Sequence, residues 1–268
     1  MAEHLVKESI VLGLEVKIDE LKQTLSKTIM IDGDMIIYRA AFSSEVETKW
    51  DDNIWTLHSS EAAATAKVDE LVEGIMKKLK ATDYITCISS KTNFRHDLYP
   101  AYKSNRSDKR KPLGIKGLTE YMYDYHNGLI VDDLEADDLI GVLCTRNPKD
   151  TIAVSGDKDF GTLPITWYNH LKDEVTTTKL KQAKRFHLIQ TLTGDAIDGY
   201  KGLKGVGIKT AEKILDKNGA TWKTVVDEYK KHDLTEDDAL LTARLAYILQ
   251  KQHYNLETKK IKLWTPRK

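Results

Sequence analysis

Acidic residues crowd one short stretch of the chain, "VDDLEADDLIGVL" at residues 131–143. An apolar run follows at once, so the pattern predicts a helix over 134–146 with an acidic first turn. Two interpretations stay open for this segment alone: acids that favour the positive end of the helix dipole, or ligands that hold a metal cation. The five carboxylates belong to Asp132, Asp133, Glu135, Asp137 and Asp138.

Other carboxylates stand in comparable places. Asp32 ends the apolar run "TIMID". Asp157 and Asp159 in "SGDKDF" lie two apart, on one side of an extended segment, with a polar turn as the alternative interpretation. Asp195 and Asp198 in "TGDAID" lie three apart, a spacing that suits one helical turn, with helix capping as the alternative.

Together these groups indicate a metal centre. Carboxylates packed together without cations would strongly raise one another's pKa values. Hard divalent cations remove that cost, and oxygen-rich sites select Mg²⁺ or Mn²⁺ over zinc. Two such ions would suit the hydrolysis of a phosphodiester. Support for other chemistry is weaker, because the histidines are isolated and "GVGIKT" lacks the spacing of a P-loop.

The elements that must position these acids alternate between strands and helices. Predicted strands cover 28–34, 83–90, 127–132 and 151–159, the last ending at Gly156, and predicted helices cover 59–81 and 134–146. This order predicts an α/β fold with a mostly parallel central sheet flanked by helices. Ligands of such sheets bind beyond the carboxyl ends of the strands, which is where the acids fall.

Composition excludes several classes of protein. With 268 residues, 41% hydrophobic and 31% charged, the chain is predicted to be soluble and globular, with no membrane span. We expect no signal peptide, because charges interrupt the N-terminal residues. Cys87 and Cys144 lie in apolar runs, which favours buried thiols and a cytoplasmic location, the host-cell cytoplasm if the protein is phage-encoded.

Positive charge is concentrated although the net charge is +0. Residues 91–116 interleave lysine and arginine with tyrosines, a composition that attracts phosphates and can stack on unpaired bases, unless it is a solvated loop. A second basic site, "LKGVGIKTAEKIL", places two glycines before a helix, where backbone N–H groups can approach a phosphate. Its residues of interest are Lys204, Gly205, Gly207 and Lys209.

Five motifs in order resemble the flap endonuclease/5′→3′ exonuclease family, especially phage exonucleases of the T7 and T5 type. They are "MIDGDMIIYRA", "FRHDLYPAYKSNR", "LEADDLIGVL", "SGDKDF" and "GDAIDGYKGLKGVGIKTAEKIL". The resemblance implies a 5′ nuclease (PIN-like) fold with a helical arch and a C-terminal helix–hairpin–helix. The implied domains are an N-terminal extension at 1–27, a catalytic region at 28–190 with the arch at about 91–125, and a DNA-binding region at 191–268.

The resemblance also assigns residues. The tighter metal site is implied to use Asp32, Glu135, Asp137 and Asp138, and the second site Asp157, Asp159, Asp195 and Asp198. Lys103 and Arg39 would act on the scissile phosphate, with Asp138 essential for catalysis. DNA contacts would come from Tyr102, Arg106, Lys204, Gly205, Gly207 and Lys209, and carbonyls of the glycine hairpin can hold a K⁺ ion in relatives.

One position departs from the family pattern. Relatives carry an Asp after the second predicted strand, where this chain has Ser89 and Ser90, and Ser90 has the matching spacing. A hydroxyl is a poorer metal ligand than a carboxylate. Asp34, two residues beyond Asp32, is a candidate to compensate.

The sequence therefore predicts a Mg²⁺-dependent, structure-specific 5′→3′ exonuclease/flap endonuclease for phage-type DNA replication or recombination. Its expected partners are DNA with 5′ ends, flaps or nicks, with RNA–DNA hybrids and replication proteins as further candidates. Two alternatives stay open: a PIN-like ribonuclease, which would not need the helix–hairpin–helix, and a non-catalytic duplex DNA-binding protein.

Overall fold

The computed structural model of the protein describes residues 27–266. Most of the predicted N-terminal extension, residues 1–26, therefore lies outside the described residues. None of the helices between residues 27 and 266 is long and apolar enough to cross a membrane.

Ten strands lie in this part of the chain. In order they are β1 (Thr28–Asp32), β2 (Glu45–Lys49), β3 (Trp55–Ser59), β4 (Tyr84–Ile88), β5 (Gly128–Ile130), β6 (Thr151–Val154), β7 (Thr166–Asn169), β8 (Glu174–Thr177), β9 (Gly194–Asp195) and β10 (Tyr200–Lys201). The central sheet has the order β5–β4–β1–β6–β7–β8. Its neighbours are parallel except for β8, which runs antiparallel to β7 at one edge.

Helices connect these strands and form the C-terminal region. The α-helices are α1 (Gly33–Ser43), α2 (Glu61–Leu79), α3 (Phe94–Leu98), α4 (Ile115–Tyr125), α5 (Ala136–Arg146), α6 (Leu180–Thr193), α7 (Ile208–Asn218), α8 (Trp222–Lys230) and α9 (Glu236–Ala246). Two 3-10 turns cover Ser104–Arg106 and Lys158–Thr162.

The predicted fold class, a mostly parallel sheet flanked by helices, is confirmed. Each predicted strand has a counterpart in the sheet, and the predicted helix at 59–81 is α2, whose first turn is capped by the Ser60 hydroxyl. The region predicted as an arch, 91–125, contains α3, a 3-10 turn and α4. Three antiparallel pairs were not predicted: the separate β2–β3 and β9–β10 hairpins and the β7–β8 edge.

Strand register brings the acidic segments to one edge of the sheet. Asp32 at the end of β1 lies beside Cys87 of β4, and Ile31 lies beside Val154 of β6. The turn from β1 into α1 needs Gly33, because a Cβ there would lie 2.8 Å from the carbonyl oxygen of Cys87. Residues that follow β1, β4 and β6 therefore meet at the same edge.

Two hydrophobic cores cover the two faces of the sheet. On one face α5 packs with the C-terminal segment, and on the other α1, α2 and α4 pack together. A third core joins α6, α7 and α8 with the start of α9. The predicted domain boundary between residues 190 and 191 falls inside α6, and the division into domains stays a prediction.

The segment after α9 returns to the central sheet and packs on α5. Tyr247, Ile248 and Leu249 belong to the same buried core as the residues of α5. The approach is close, since a Cβ at Gly141 would lie only 2.3 Å from the carbonyl oxygen of Leu249. The missing side chain of Gly141 is what lets the two backbones meet.

Substitution of Gly141 by alanine should therefore destabilise the protein. We expect Gly141→Ala to lower the free energy of unfolding by about 1–3 kcal/mol, because the added methyl group has no space. Gly74→Ala is the matched control: it lies in exposed α2 with nothing within 4 Å of the new Cβ. That control should raise the free energy of unfolding by about 0.5–1 kcal/mol. Urea denaturation followed by circular dichroism measures both, and equal shifts would contradict this account.

The stability of the fold should depend on pH through His187, which packs against the C-terminal segment. Its Nε2 lies 2.8 Å from the carbonyl oxygen of Ala243, its ring packs edge-on against Tyr247 and Trp264, and burial lowers its pKa from 6.5 to about 4. Between these pH values the unfolded chain binds a proton that the folded chain does not, so stability falls as the pH falls.

At about pH 5 this should cost about 2 kcal/mol of unfolding free energy relative to about pH 7. Urea denaturation of the metal-free protein at both pH values measures it. In His187→Gln the drop should be smaller by that amount, whereas an unchanged drop would contradict the assignment.

Candidate active site

Asp32 joins the end of β1 to the start of α1. Its carboxylate accepts the N–H of Met35 (3.2 Å) and thereby caps α1, and it accepts the hydroxyl of Ser155 (2.8 Å) from the end of β6. Burial, with additional repulsion from Asp34 and Asp157, raises its pKa to about 7. An uncompensated negative charge is therefore costly here.

Asp137 comes to the same place from the first turn of α5. Burial raises its pKa well above the ordinary value, and repulsion from Asp32 and Asp157 adds to the effect. Three predicted metal ligands thus converge from three different elements, as the sheet topology requires.

Asp157 and Asp159 follow β6 and form the start of a 3-10 turn. Asp157 accepts the N–H of Asp159 (2.8 Å). Burial raises the pKa of Asp159 to about 7, with contributions from Asp157, Asp195 and Asp198. One oxygen of Asp159, Oδ1, is buried without a hydrogen-bond partner, which is a position that a bound cation would satisfy.

Asp195 ends β9, and Asp198 lies on the loop between β9 and β10. The Oδ1 of Asp195 accepts the N–H groups of Ile197 (2.7 Å) and Asp198 (3.2 Å). Asp198 forms an ion pair with Arg106, and the Nζ of Lys103 lies 3.8 Å from its Oδ2. The predicted second group of ligands is thus held near Asp159, at the rim of the cluster.

Glu135 is the acid most fully engaged by positive charge at this site. It pairs with Lys103, and its Oε2 accepts a guanidinium N–H of Arg95 (3.1 Å) and the hydroxyl of Tyr102 (3.1 Å). Burial alone would raise its pKa, but Arg95 and Lys103 lower it to about 2. Glu135 is therefore ionised and held by donors from the predicted arch region.

The carboxylate of Asp138 is bonded to protein groups on both of its oxygens. It is fully buried, its Oδ1 accepts N–H groups of Arg95 (2.8 Å) and Leu249 (3.0 Å), and its Oδ2 accepts those of Arg95 (2.5 Å) and Glu135 (3.4 Å). A carboxylate offers about four lone-pair positions, and four donors occupy them. This placement argues against the predicted metal-binding and catalytic roles of Asp138 and indicates that it anchors Arg95.

Tyr102 also differs from its prediction as a DNA-stacking residue. Only 2% of it is exposed, and its ring packs between His96 and Tyr200. Its hydroxyl instead reaches Glu135 and Asp198 (3.1 Å each). The ring therefore fixes the site from within, and Lys103, with a left-handed φ of 56°, follows it directly at the rim.

Two predicted phosphate-binding groups lie elsewhere. Arg39 is exposed on α1 and lies near His170, whose pKa is lowered to about 4 by burial and by the charge of Arg39. Lys204, Gly205 and Gly207 lie in an exposed turn, and Lys209 lies in the first turn of α7, which follows it. A Cβ at either glycine would meet nothing within 4 Å, so the backbone of this turn is open to an approaching ligand.

Arg95 is the site residue that sequence reasoning missed. It was counted with the basic residues expected to attract phosphate, yet it is buried and its guanidinium also donates to the carbonyl oxygens of Leu245 (3.1 Å) and Tyr247 (2.8 Å). The only available signal was its position in "NFRHDLYP", directly after Phe94, in a segment that is otherwise partly apolar.

The oxygen-rich donor set fits divalent hard cations. Among residues 27–266 no group of three or more His, Cys, Asp or Glu side chains already has an arrangement that could hold a metal ion, and Arg95, Lys103 and Arg106 pair with several of the acids. Asp32, Asp137 and Asp159 are each repelled by Asp157, and one oxygen of Asp159 has no partner; these are the features that a cation would satisfy.

Comparisons with known proteins agree with this reading of the fold. The chain is 26% identical to the exodeoxyribonuclease of Enterobacteria phage T3 and to the exonuclease of Escherichia phage T7, each over 89% of this chain and 93% of the relative. A crystal structure of the bacteriophage T5 flap endonuclease with DNA and metal ions superposes with a TM-score of 0.57 at 17% identity, over 82% of this chain and 88% of that one.

The acids of β1, α5 and β6 all fall inside residues 27–188, which match the family described as "5'-3' exonuclease, N-terminal resolvase-like domain". The chain belongs to this family of nucleases.

Proposed function

We propose that the protein is a divalent-metal-dependent 5′→3′ exonuclease/flap endonuclease that hydrolyses phosphodiesters in DNA. The observation that carries the proposal is the convergence of Asp32, Asp137 and Asp157 from three elements at the carboxyl edge of the sheet. Burial of several like charges at one point is costly without cations, and phosphodiester hydrolysis is a reaction for which cations are useful.

The ligands would be the carboxylates of the acid cluster, and a bound cation would replace Lys103 and Arg106 as the partners of Glu135 and Asp198. One group is Asp32 with Asp137 and Glu135, and the other comprises Asp157, Asp159, Asp195 and Asp198. Two Mg²⁺ or Mn²⁺ ions bound there would help to form the attacking hydroxide and stabilise the leaving oxygen. The ligand set is composed of oxygen atoms alone, which favours these ions over zinc.

Positive groups at the rim would receive the phosphate. Lys103 has about a fifth of its side chain exposed and Arg106 nearly half, and both already face the cluster through Glu135 and Asp198. A positive charge placed beside a phosphate stabilises the charge that develops in the transition state. Arg39, exposed on α1, is proposed to act on the same phosphate.

Duplex DNA is proposed to bind at the exposed turn formed by residues 202–207. The backbone of Gly205 and Gly207 is open, and Lys204 and Lys209 flank it. A helix–hairpin–helix built on this turn, with a K⁺ ion at its carbonyls, belongs to the same proposal. So do RNA–DNA hybrids as substrates, replication proteins as partners and action in the cytoplasm.

Nuclease activity should require both the metal and Asp137. With Mg²⁺ the wild-type protein should release products from 5′-labelled DNA carrying nicks, gaps or 5′ flaps, and EDTA should abolish the release. Asp137→Asn should lower the rate at least about a hundredfold, because the loss of a metal ligand removes several kcal/mol of transition-state stabilisation. Gel electrophoresis of the labelled products measures these rates.

Asp132→Asn is the matched control for this experiment. It removes an exposed carboxylate five residues away and should leave the rate unchanged. Preferential cleavage of single-stranded RNA would favour a PIN-like ribonuclease instead. Binding of duplex without cleavage in Mg²⁺ or Mn²⁺ would favour a non-catalytic DNA-binding protein.

The exposed turn should supply phosphate contacts that depend on salt. We expect Lys209→Ala to weaken binding to every duplex sequence alike and to reduce the slope of log K against log salt concentration by about 1. Fluorescence anisotropy of labelled duplex at several salt concentrations, in Ca²⁺ rather than Mg²⁺, measures the slope. Lys67→Ala removes a lysine that is paired with Glu70 on α2, and this control should not change it.

A further inference from the structure

Asp34 is a half-buried acid that the proposed ligand set leaves unused. It lies in the first turn of α1, two residues beyond Asp32. Burial raises its pKa, and it is close enough to Asp32 to raise the pKa of that residue. A surface acid at a helix N-terminus would face solvent, whereas this one faces the cluster.

The contacts of Asp34 place its carboxylate at the end of β4. Both of its oxygens accept the backbone N–H of Ser89 (3.2 and 3.3 Å), the first residue after that strand. Ser89 is itself fixed, because its hydroxyl accepts the N–H of Ala136 at the start of α5 (2.9 Å). The carboxylate therefore lies between β4 and α5, next to the residues that flank Glu135.

Charges of both signs meet Asp34 at this point. Glu135 raises the pKa of Asp34 by repulsion, and Lys103 lowers it. The ammonium of Lys103 is also paired with Glu135. The positive charge of Lys103 therefore acts on the carboxylates of both Asp34 and Glu135.

Ser90 is turned away from the same point. Its hydroxyl accepts the N–H of Thr92 (3.3 Å) and lies 3.3 Å from the hydroxyl of Thr92, and its own N–H bonds to the carbonyl of Leu134 (3.0 Å). These contacts hold Ser90 in the exposed turn that follows β4. Spacing along the chain matched Ser90 to the ligand position, but the hydroxyl lies in a different place.

We infer that Asp34, and not Ser90, supplies the carboxylate at the end of β4 that binds the divalent cation shared with Asp32 and Glu135. The inference rests on the proposed function, since it adds a ligand to the same metal centre. In this chain the carboxylate at the end of β4 comes from α1 and not from the residues that follow β4 in sequence.

Metal binding without DNA tests the inference directly. Isothermal titration of the metal-free protein with Mn²⁺ should show two bound ions for the wild type. Asp34→Asn should weaken one of them by about ten- to a hundredfold, and the other should change less. Asparagine keeps an oxygen that can accept the Ser89 N–H, so the fold should be preserved, and thermal unfolding in EDTA checks this.

Two controls separate the possible outcomes. Ser90→Ala should leave both affinities unchanged, and Asp133→Asn, which removes an exposed charge at a left-handed position that asparagine tolerates, should do the same. Unchanged Mn²⁺ binding in Asp34→Asn would overturn the inference, as would an equal loss in Ser90→Ala. Absence of Mn²⁺ binding by the wild type would instead overturn the proposed metal-dependent function.

A measurement on the wild-type protein covers the case in which Asp34→Asn does not fold. Fe²⁺ bound in place of Mn²⁺, with ascorbate and peroxide, generates hydroxyl radicals that cut the backbone near the ion. Cuts are expected beside residues 32–34 and 135, and Mg²⁺ in excess should suppress them. Cuts near 135 and 90 without one near 34 would overturn the inference.

Discussion

Negative charge buried at one edge of the sheet is the constraint on which the rest of the structure depends. Burial raises the pKa values of Asp32, Asp137 and Asp159, and repulsion from Asp157 adds to each. The crowding results from the parallel arrangement of β1 and β6. The segments that follow these two strands begin at the same edge of the sheet, beside the first turn of α5. The chain therefore needs positive charge at that edge, and it supplies part of it from residues 95–106.

The buried pair of Arg95 and Asp138 carries that constraint into the fold. Arg95 binds Asp138 through its two terminal guanidinium nitrogens, Nη1 and Nη2. The same guanidinium also donates to the backbone carbonyls of Leu245 and Tyr247. Loss of one partner from such a pair leaves an uncompensated buried charge, which typically costs about 3–5 kcal/mol. The pair thereby links α3, α5 and the segment after α9, and it orients the residues that precede Asp137.

Sequence patterns were sufficient for the elements whose burial is regular. Apolar runs and the Ser60 cap identified α2 and four of the five parallel strands, with β7 missed, and the acids were expected at the carboxyl ends of strands, where they lie. The β2–β3 hairpin was not predicted, since its residues are largely exposed and lack a buried face that would produce a clear alternation. Contacts between distant segments were beyond reach for a related reason: no local pattern distinguishes a buried Arg95 from an exposed phosphate-binding arginine.

Spacing along the chain also could not separate acids that face the acid cluster from acids that bind protein groups. Asp137 and Asp138 are neighbours in sequence, yet consecutive helical residues point about 100° apart. One therefore faces the cluster, and the other faces Arg95 and the N–H of Leu249. The distinction depends on what packs against each side of α5, and the segment that supplies Leu249 lies more than a hundred residues away.

Lys103 pairs with a carboxylate of the site and is also proposed to contact the phosphate of a bound substrate. Its ammonium pairs with Glu135, but its position does not rest on that pair alone. The N–H of Lys103 donates to the carbonyl of Asp198 (2.8 Å), and the amide of Asn105 donates to that of Ala196 (2.8 Å). These two contacts, one from a backbone N–H and one from a side-chain amide, do not depend on the charge of any carboxylate. The flexible side chain of Lys103 can therefore rotate away from Glu135, as the proposed phosphate contact requires, while residues 103–105 keep their place at the rim.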